Sequence, residues 1–119
     1  MAGRVPQTND YGALLTVMRE AYSRRHFEET LAAFEQLAAI GRIPRNMRIE
    51  ATCLAARALI ASKNRPAARA LLKPLLGEDY TKPIHYDFLA HAFLDLRNYR
   101  EAARLCERAD ALIEAQKRG

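Results

Sequence analysis

Asp87, His91 and Asp95 stand four residues apart. On a helix that spacing puts all three side chains on one face. A D-x3-H-x3-D row offers two carboxylates and an imidazole to a metal ion. One straight helix supplies two or three ligands at most, and a tetrahedral ion needs completion from elsewhere. The sequence holds no second cluster to complete it. The row therefore reads as a solvated polar stripe, and no metal is expected. Arg100, Arg104 and Arg108 form a second row, which could meet phosphates. Glu101, Glu107 and Asp110 are interleaved with it, so the segment is neutral and nucleic acid is not its expected partner. Cys53 and Cys106 are isolated, without CxxC spacing, and read as small buried hydrophobes. His26 stands beside Arg24 and Arg25 in a turn and reads as a surface residue. There is no Gly-rich phosphate loop, no GxSxG and no HExxH. No catalytic grouping and no cofactor is expected.

The charge is uneven. The chain has 119 residues and a net charge of +5. Residues 1–44 hold five basic and five acidic side chains, and residues 83–119 hold six of each. Residues 45–82 hold eight basic against three acidic, so the whole excess lies in the middle third. Such a patch can steer an acidic partner, although a solvated surface is the simpler reading. Half of the residues are hydrophobic, enough for one modest core. No apolar run approaches the roughly 18 residues of a membrane span. MAGRVPQTND lacks the hydrophobic core of a signal peptide, so a cytoplasmic location is expected.

The elements that must position these residues are helices. Alternation of apolar and polar residues never persists, while spacings of three and four dominate. Six helices are expected, at about 9–24, 27–41, 44–62, 66–76, 83–96 and 99–116. Thr8 or Asn9 is the expected cap of the first, and Gly41 ends the second. Pro44, Pro66 and Pro83 can each open a helix, since a proline in the first turn loses no hydrogen bond. Pro74 lies inside the fourth pattern and should kink or fray its last turn. Connections within pairs are three or four residues, which makes neighbouring helices antiparallel. Residues 1–8 are expected to be a flexible tail and residues 9–119 a single domain.

The last two helices carry a telling set of small residues. Counting from Pro83, Tyr86 is position 4, Leu89 is 7, Ala90 is 8 and Phe93 is 11. Tyr99 is 17, Ala102 is 20 and Ala109 is 27. This pattern resembles the tetratricopeptide repeat, a helix pair of about 34 residues. Cys106 stands where that family has Phe, and Glu114 where it often has Pro. A second repeat from Ile49 places Ala55, Ala56, Leu59, Ala68 and Leu72 at matching positions, with Thr52 a departure at position 4. A first repeat fits from Tyr11, with Leu14, Ala21, Phe27, Phe34 and Leu37, while Met18 and Thr30 are larger than the family's small residues. The repeats run at about 11–44, 49–82 and 83–116. Ala90 and Ala102 lack bulk where two helices must cross closely, and Phe93 and Tyr99 should fill the space beside them.

The resemblance implies an all-α fold, with three antiparallel helix hairpins stacked as a short right-handed α-solenoid. It also implies a non-catalytic protein-binding module, an adaptor or a small chaperone. In the family the first helices line a concave groove. Transferred position by position, that groove here includes Leu15, Arg19, Tyr22, Cys53, Leu54, Arg57, Phe88 and His91. One subtype clamps acidic chaperone tails with Lys and Asn. Those positions here are Leu15, Arg19, Leu54, Ile84 and Phe88, so such tails are not the expected ligand. The expected partner is another protein, offering a peptide or an amphipathic helix that carries an acidic residue for Arg19 or Arg57. Leu54 and Leu94 could equally be core. Repeat arrays usually end in a polar capping helix, and this sequence has six helices and no seventh. Leu105, Leu112 and Ile113 are therefore expected to stay partly exposed and to mediate homo-oligomerisation. The alternatives are a basic nucleic-acid binder centred on residues 45–82 and a self-associating structural subunit.

Overall fold

The structure, a computed structural model, describes residues 8–119. The tail expected over residues 1–8 lies outside the described residues except for Thr8. The described residues form an all-helical chain with six helices. They are α1 (Tyr11–Ser23), α2 (Phe27–Ile40), α3 (Arg45–Ala61), α4 (Arg65–Leu76), α5 (Pro83–Asp95) and α6 (Tyr99–Arg118). None is long and apolar enough to cross a membrane.

Three turns of the same construction join α1 to α2, α3 to α4 and α5 to α6. Each is three residues long, with a central residue in the left-handed region: Arg25 at φ 63°, Lys63 at φ 65° and Arg97 at φ 62°. In each, the central N–H donates three residues back, to Tyr22, Ile60 or Leu94. The next N–H donates five back, to the carbonyl of Ala21, Leu59 or Phe93. This is the Schellman pattern, which satisfies the last carbonyls of a helix and turns the chain back. Asn64 and Asn98 then cap the following helix, accepting from the N–H of Ala67 and Glu101. His26 occupies the same place before α2 and makes no side-chain cap.

The other boundaries follow local chemistry. Asp10, rather than Thr8 or Asn9, caps α1. Its carboxylate accepts from the N–H of Ala13, and the Thr8 hydroxyl accepts from the Asp10 N–H. A carboxylate also gains from the helix dipole, which a hydroxyl or an amide does less well. Pro66 takes the second position of α4, because Asn64 caps one residue earlier than Pro66 alone suggests. Pro74 does not end α4, which continues to Leu76. Its ring leaves the Ala70 carbonyl without a donor, and Ala70 is exposed. Gly41 ends α2 at φ 79°.

Packing explains the alanines. α3 packs against α1, α2, α4 and α5. A helix surrounded on so many sides needs small residues, and Ala51, Ala55, Ala56 and Ala58 are all buried on it. Thr30 and Thr52 are buried too, and each hydroxyl donates to a carbonyl four residues back, of His26 and Arg48. Ala90 and Ala102 are buried in the same cluster as Phe93, as the spacing required. Tyr99 is not with them. It sits at the start of α6 and is mostly exposed, so Phe93 packs with the alanines and Tyr99 does not. Two apolar clusters result. One joins Leu14, Leu15, Met18, Ala33 and Leu37 to Ala51 and Ala55, and the other runs from α3 through α4 to α5 and α6. Each fully buried leucine contributes about 1.5–3 kcal/mol.

The segment between α4 and α5 is more than a connector. Tyr80 is buried there, and its hydroxyl donates to the Leu75 carbonyl at 2.6 Å. Its N–H donates to the Tyr86 hydroxyl at 3.0 Å, and the two rings meet edge to face. Burial pushes the Tyr80 phenol up to about 12. Arg45 stacks over the same ring and pairs with Glu78 at 2.9 Å. One side chain thus seals the gap between α4 and α5.

Candidate partner-binding face

The first helices of the three pairs contact one another in the order α1, α3, α5. Two ion pairs stitch that face. Arg19 of α1 makes a fork with Glu50 of α3, both contacts at 2.6 Å. The hydrogen bond that Arg19 donates to Glu50 raises the pKa of Arg19 above its ordinary value. Arg57 of α3 donates to Asp95 of α5 at 2.7 Å and lies 5.0 Å over the Tyr22 ring. Both guanidinium groups expected to offer donors to a partner's acid are therefore engaged within the chain. Arg19 and Arg57 occupy corresponding places on the first helices of successive helix pairs, α1 and α3. The residue at that position on α5 is His91, which is exposed and makes no ion pair among the described residues.

The other expected groove residues divide by burial. Leu15 is 1% exposed and belongs to the core between α1 and α2, so it cannot meet a partner. Cys53 is 2% exposed. Burial pushes its thiol up to about 12, against the pull of Arg57, so it stays protonated. Tyr22 is half-buried, edge to face with Phe27. Leu54 and Phe88 are also half-buried. Together with Glu50, Cys53, Arg57 and His91 they line a narrow recess of about 90 Å³ between α3 and α5. A shallower depression of about 520 Å³ lies at the other end, lined by Tyr22, Phe27, Arg57, Ile60 and Asp95. His85 is buried beneath, against Tyr80 and near Phe88. Burial, then the charges of Lys82 and Arg45, lower its pKa, so it is neutral at pH 7.

The Asp87, His91 and Asp95 row is one face of α5, but Asp95 is turned to Arg57. The row is a polar rim beside Phe88, with Leu94 exposed next to it rather than in the core. The basic middle third is partly neutralised. Arg45 and Arg57 are paired, while Arg65, Arg69 and Lys73 lie exposed along α4, which has no acidic residue. The row on α6 is likewise divided: Arg108 reaches Asp79 at 2.6 Å and stacks over Tyr86, and Arg104 meets Glu101.

Two expectations near the C-terminus are reversed. Leu105 is buried, because it faces α5 and not the open side of α6. Cys106, expected inside, is exposed. Ile113 is partly exposed and Leu112 half-buried, as expected. Tyr80 and the two interhelical ion pairs were missed in the sequence. A lone tyrosine in a polar loop was the one available signal. Comparison with family models, with curated proteins and with solved structures finds no match for this chain.

Proposed function

We propose that this chain is a non-catalytic protein-binding module, an adaptor or a small chaperone. In this reading its helix pairs stack as a short right-handed solenoid of the tetratricopeptide type. Its α1–α3–α5 face holds an amphipathic helix or an extended apolar segment of a partner. The observation that carries this is the recess between α3 and α5, apolar at Leu54 and Phe88 and bordered by His91. The three identical turns, whose central residues are Arg25, Lys63 and Arg97, support the repeat. Arg19 and Arg57 hold the first helices in register, so the partner is recognised by apolar area and not by a carboxylate. Phe88 is the anchor, with Leu54 and Tyr22 completing the surface.

The test is selection of a displayed library of amphipathic helical peptides, followed by titration of an enriched peptide. Phe88→Asp should weaken it at least tenfold while the circular dichroism is unchanged. No enrichment, or equal affinity for Phe88→Asp, would defeat the reading.

A second reading rests on α4, where Arg65, Arg69 and Lys73 repeat at four-residue spacing on an exposed face. Such a row suits a phosphate backbone. Binding to single- or double-stranded probes would then fall steeply with salt and be lost in Arg65→Glu/Arg69→Glu. Absent or salt-independent binding removes it.

A further inference from the structure

The large apolar residues that stay exposed are not scattered. Among the described residues there are four: Ile84 at 52%, Leu94 at 44%, Tyr99 at 63% and Ile113 at 38%. All four lie on α5 and α6, and none lies on α1 to α4. α6 contributes a continuous stripe. Tyr99, Ala103, Cys106, Asp110 and Ile113 recur at alternating steps of four and three, and every one of them is exposed. That spacing is the seam of a helix that packs lengthwise on another helix. The adjoining side of α6, about a quarter turn away, is already used, by Ala102, Leu105 and Ala109 against α5.

We propose that the stripe on α6 docks on the same stripe of a second copy of this chain, antiparallel, with the two-fold axis at Cys106. The register follows from the sequence of the stripe. Tyr99 lies seven residues before Cys106 and Ile113 seven after it. An antiparallel pair centred on Cys106 therefore sets each Tyr99 against the Ile113 of the other copy. Ala103 and Cys106 are small, which lets the two backbones approach closely at the centre. The charges agree with this register and with no parallel one. Before the centre the flank of the stripe carries Arg100, and after it Glu107 and Glu114, with Asp110 on the seam. A two-fold axis perpendicular to the helices keeps each flank on its own side. Arg100 of one copy then falls between Asp110 and Glu114 of the other, twice over. A parallel pair would set Asp110 against Asp110 on the seam and place the Arg100 flank opposite the other flank of its partner, away from Glu114. The face is self-complementary, as an isologous interface must be. It is a different surface from the α1–α3–α5 face, so the dimer leaves both peptide-binding faces free.

Cys106 supplies the probe. It is exposed and Cys53 is buried, so a thiol reagent on the folded chain reads Cys106. The full chain is treated with a short bis-maleimide at several protein concentrations, and sedimentation equilibrium is run alongside. A covalent dimer is expected that is absent in Cys106→Ser and unchanged in Cys53→Ser. Wild type should show a monomer–dimer equilibrium. Tyr99→Asp/Ile113→Asp, which alters only exposed positions, should abolish it while the helical signal persists. Arg100→Glu should weaken the dimer at least tenfold and reduce cross-linking. Arg100→Glu/Glu114→Arg on one chain restores both reciprocal contacts and should recover it. A wild type that is monomeric up to about millimolar concentration would overturn the proposal. So would a dimer indifferent to the Tyr99 and Ile113 changes, or an Arg100→Glu defect that Glu114→Arg does not rescue.

Discussion

The pairs α3–α4 and α5–α6 are built alike and end differently. Each turns through a left-handed basic residue, Lys63 or Arg97, and restarts through an asparagine cap, Asn64 or Asn98. Each crosses on alanines, Ala56 and Ala68 in one, Ala90 and Ala102 in the other. Yet Leu72 on α4 is fully buried while Cys106, at the same position of α6, is exposed. Arg57 on α3 is paired forward to α5, while His91 at the same position of α5 has no helix ahead of it. The local rules are thus the same in both pairs, and the difference is what packs next. Equivalent residues become core or surface according to neighbours that their own segment does not encode.

The largest expected effect breaks the comparison at its core. Leu72→Ala should cost about 2–5 kcal/mol, because a close-packed site collapses only partly around the cavity. Cys106→Ala should change stability by less than about 0.5 kcal/mol in the monomer. Urea unfolding of the two variants below the concentration at which they associate measures both. Equal costs would mean that α6 is covered by something within the monomer.

The caps come next and sharpen the likeness. Asn64→Ala and Asn98→Ala should each lose about 1 kcal/mol, the usual worth of an N-cap side chain. The two costs should agree, since the geometry is the same. Arg57 and His91 then mark the difference again. Arg57→Ala should cost about 0.5–1 kcal/mol, since its pair with Asp95 is partly exposed and the contact with the Tyr22 ring adds to it. His91→Ala should cost nothing measurable. A double-mutant cycle of Arg57 with Asp95 separates the pair from the stacking.

This contrast also explains what could be read from the sequence. The six helices and their turns depend on residues within a few positions of each other: apolar spacing, Asn98, Gly41, Pro83. Those were legible to within two residues. Buried and exposed faces were legible where the pattern was strong, as at Ala90 and Leu89. The candidate face was less so. Whether Arg19 is free depends on Glu50, 31 residues away, and Arg57 on Asp95, 38 away. Leu15 was placed on a groove because its repeat position lies there in the family, but α1 turns it into the core against α2. Cys106 and Leu105 exchanged roles for the same reason, since a period says which residues share a face and not which face meets a neighbour.

The smallest effect tests the likeness most directly. Lys63 and Arg97 hold left-handed backbone without being glycine, which costs an L-residue about 1–2 kcal/mol. Glycine removes that strain but adds freedom to the unfolded chain, worth up to about 1 kcal/mol against it. The net for Lys63→Gly is a gain of a few tenths of a kcal/mol, a rise of a degree or two in Tm. Arg97→Gly should gain the same, because both side chains are exposed and neither forms an ion pair among the described residues. Thermal unfolding of the two variants decides it. If one gains and the other loses, the turns are not interchangeable, and a side-chain contact distinguishes the pairs already at the turn. If both gain equally, the two pairs are one local design, and everything that separates them lies in what packs against α4 and what does not yet pack against α6.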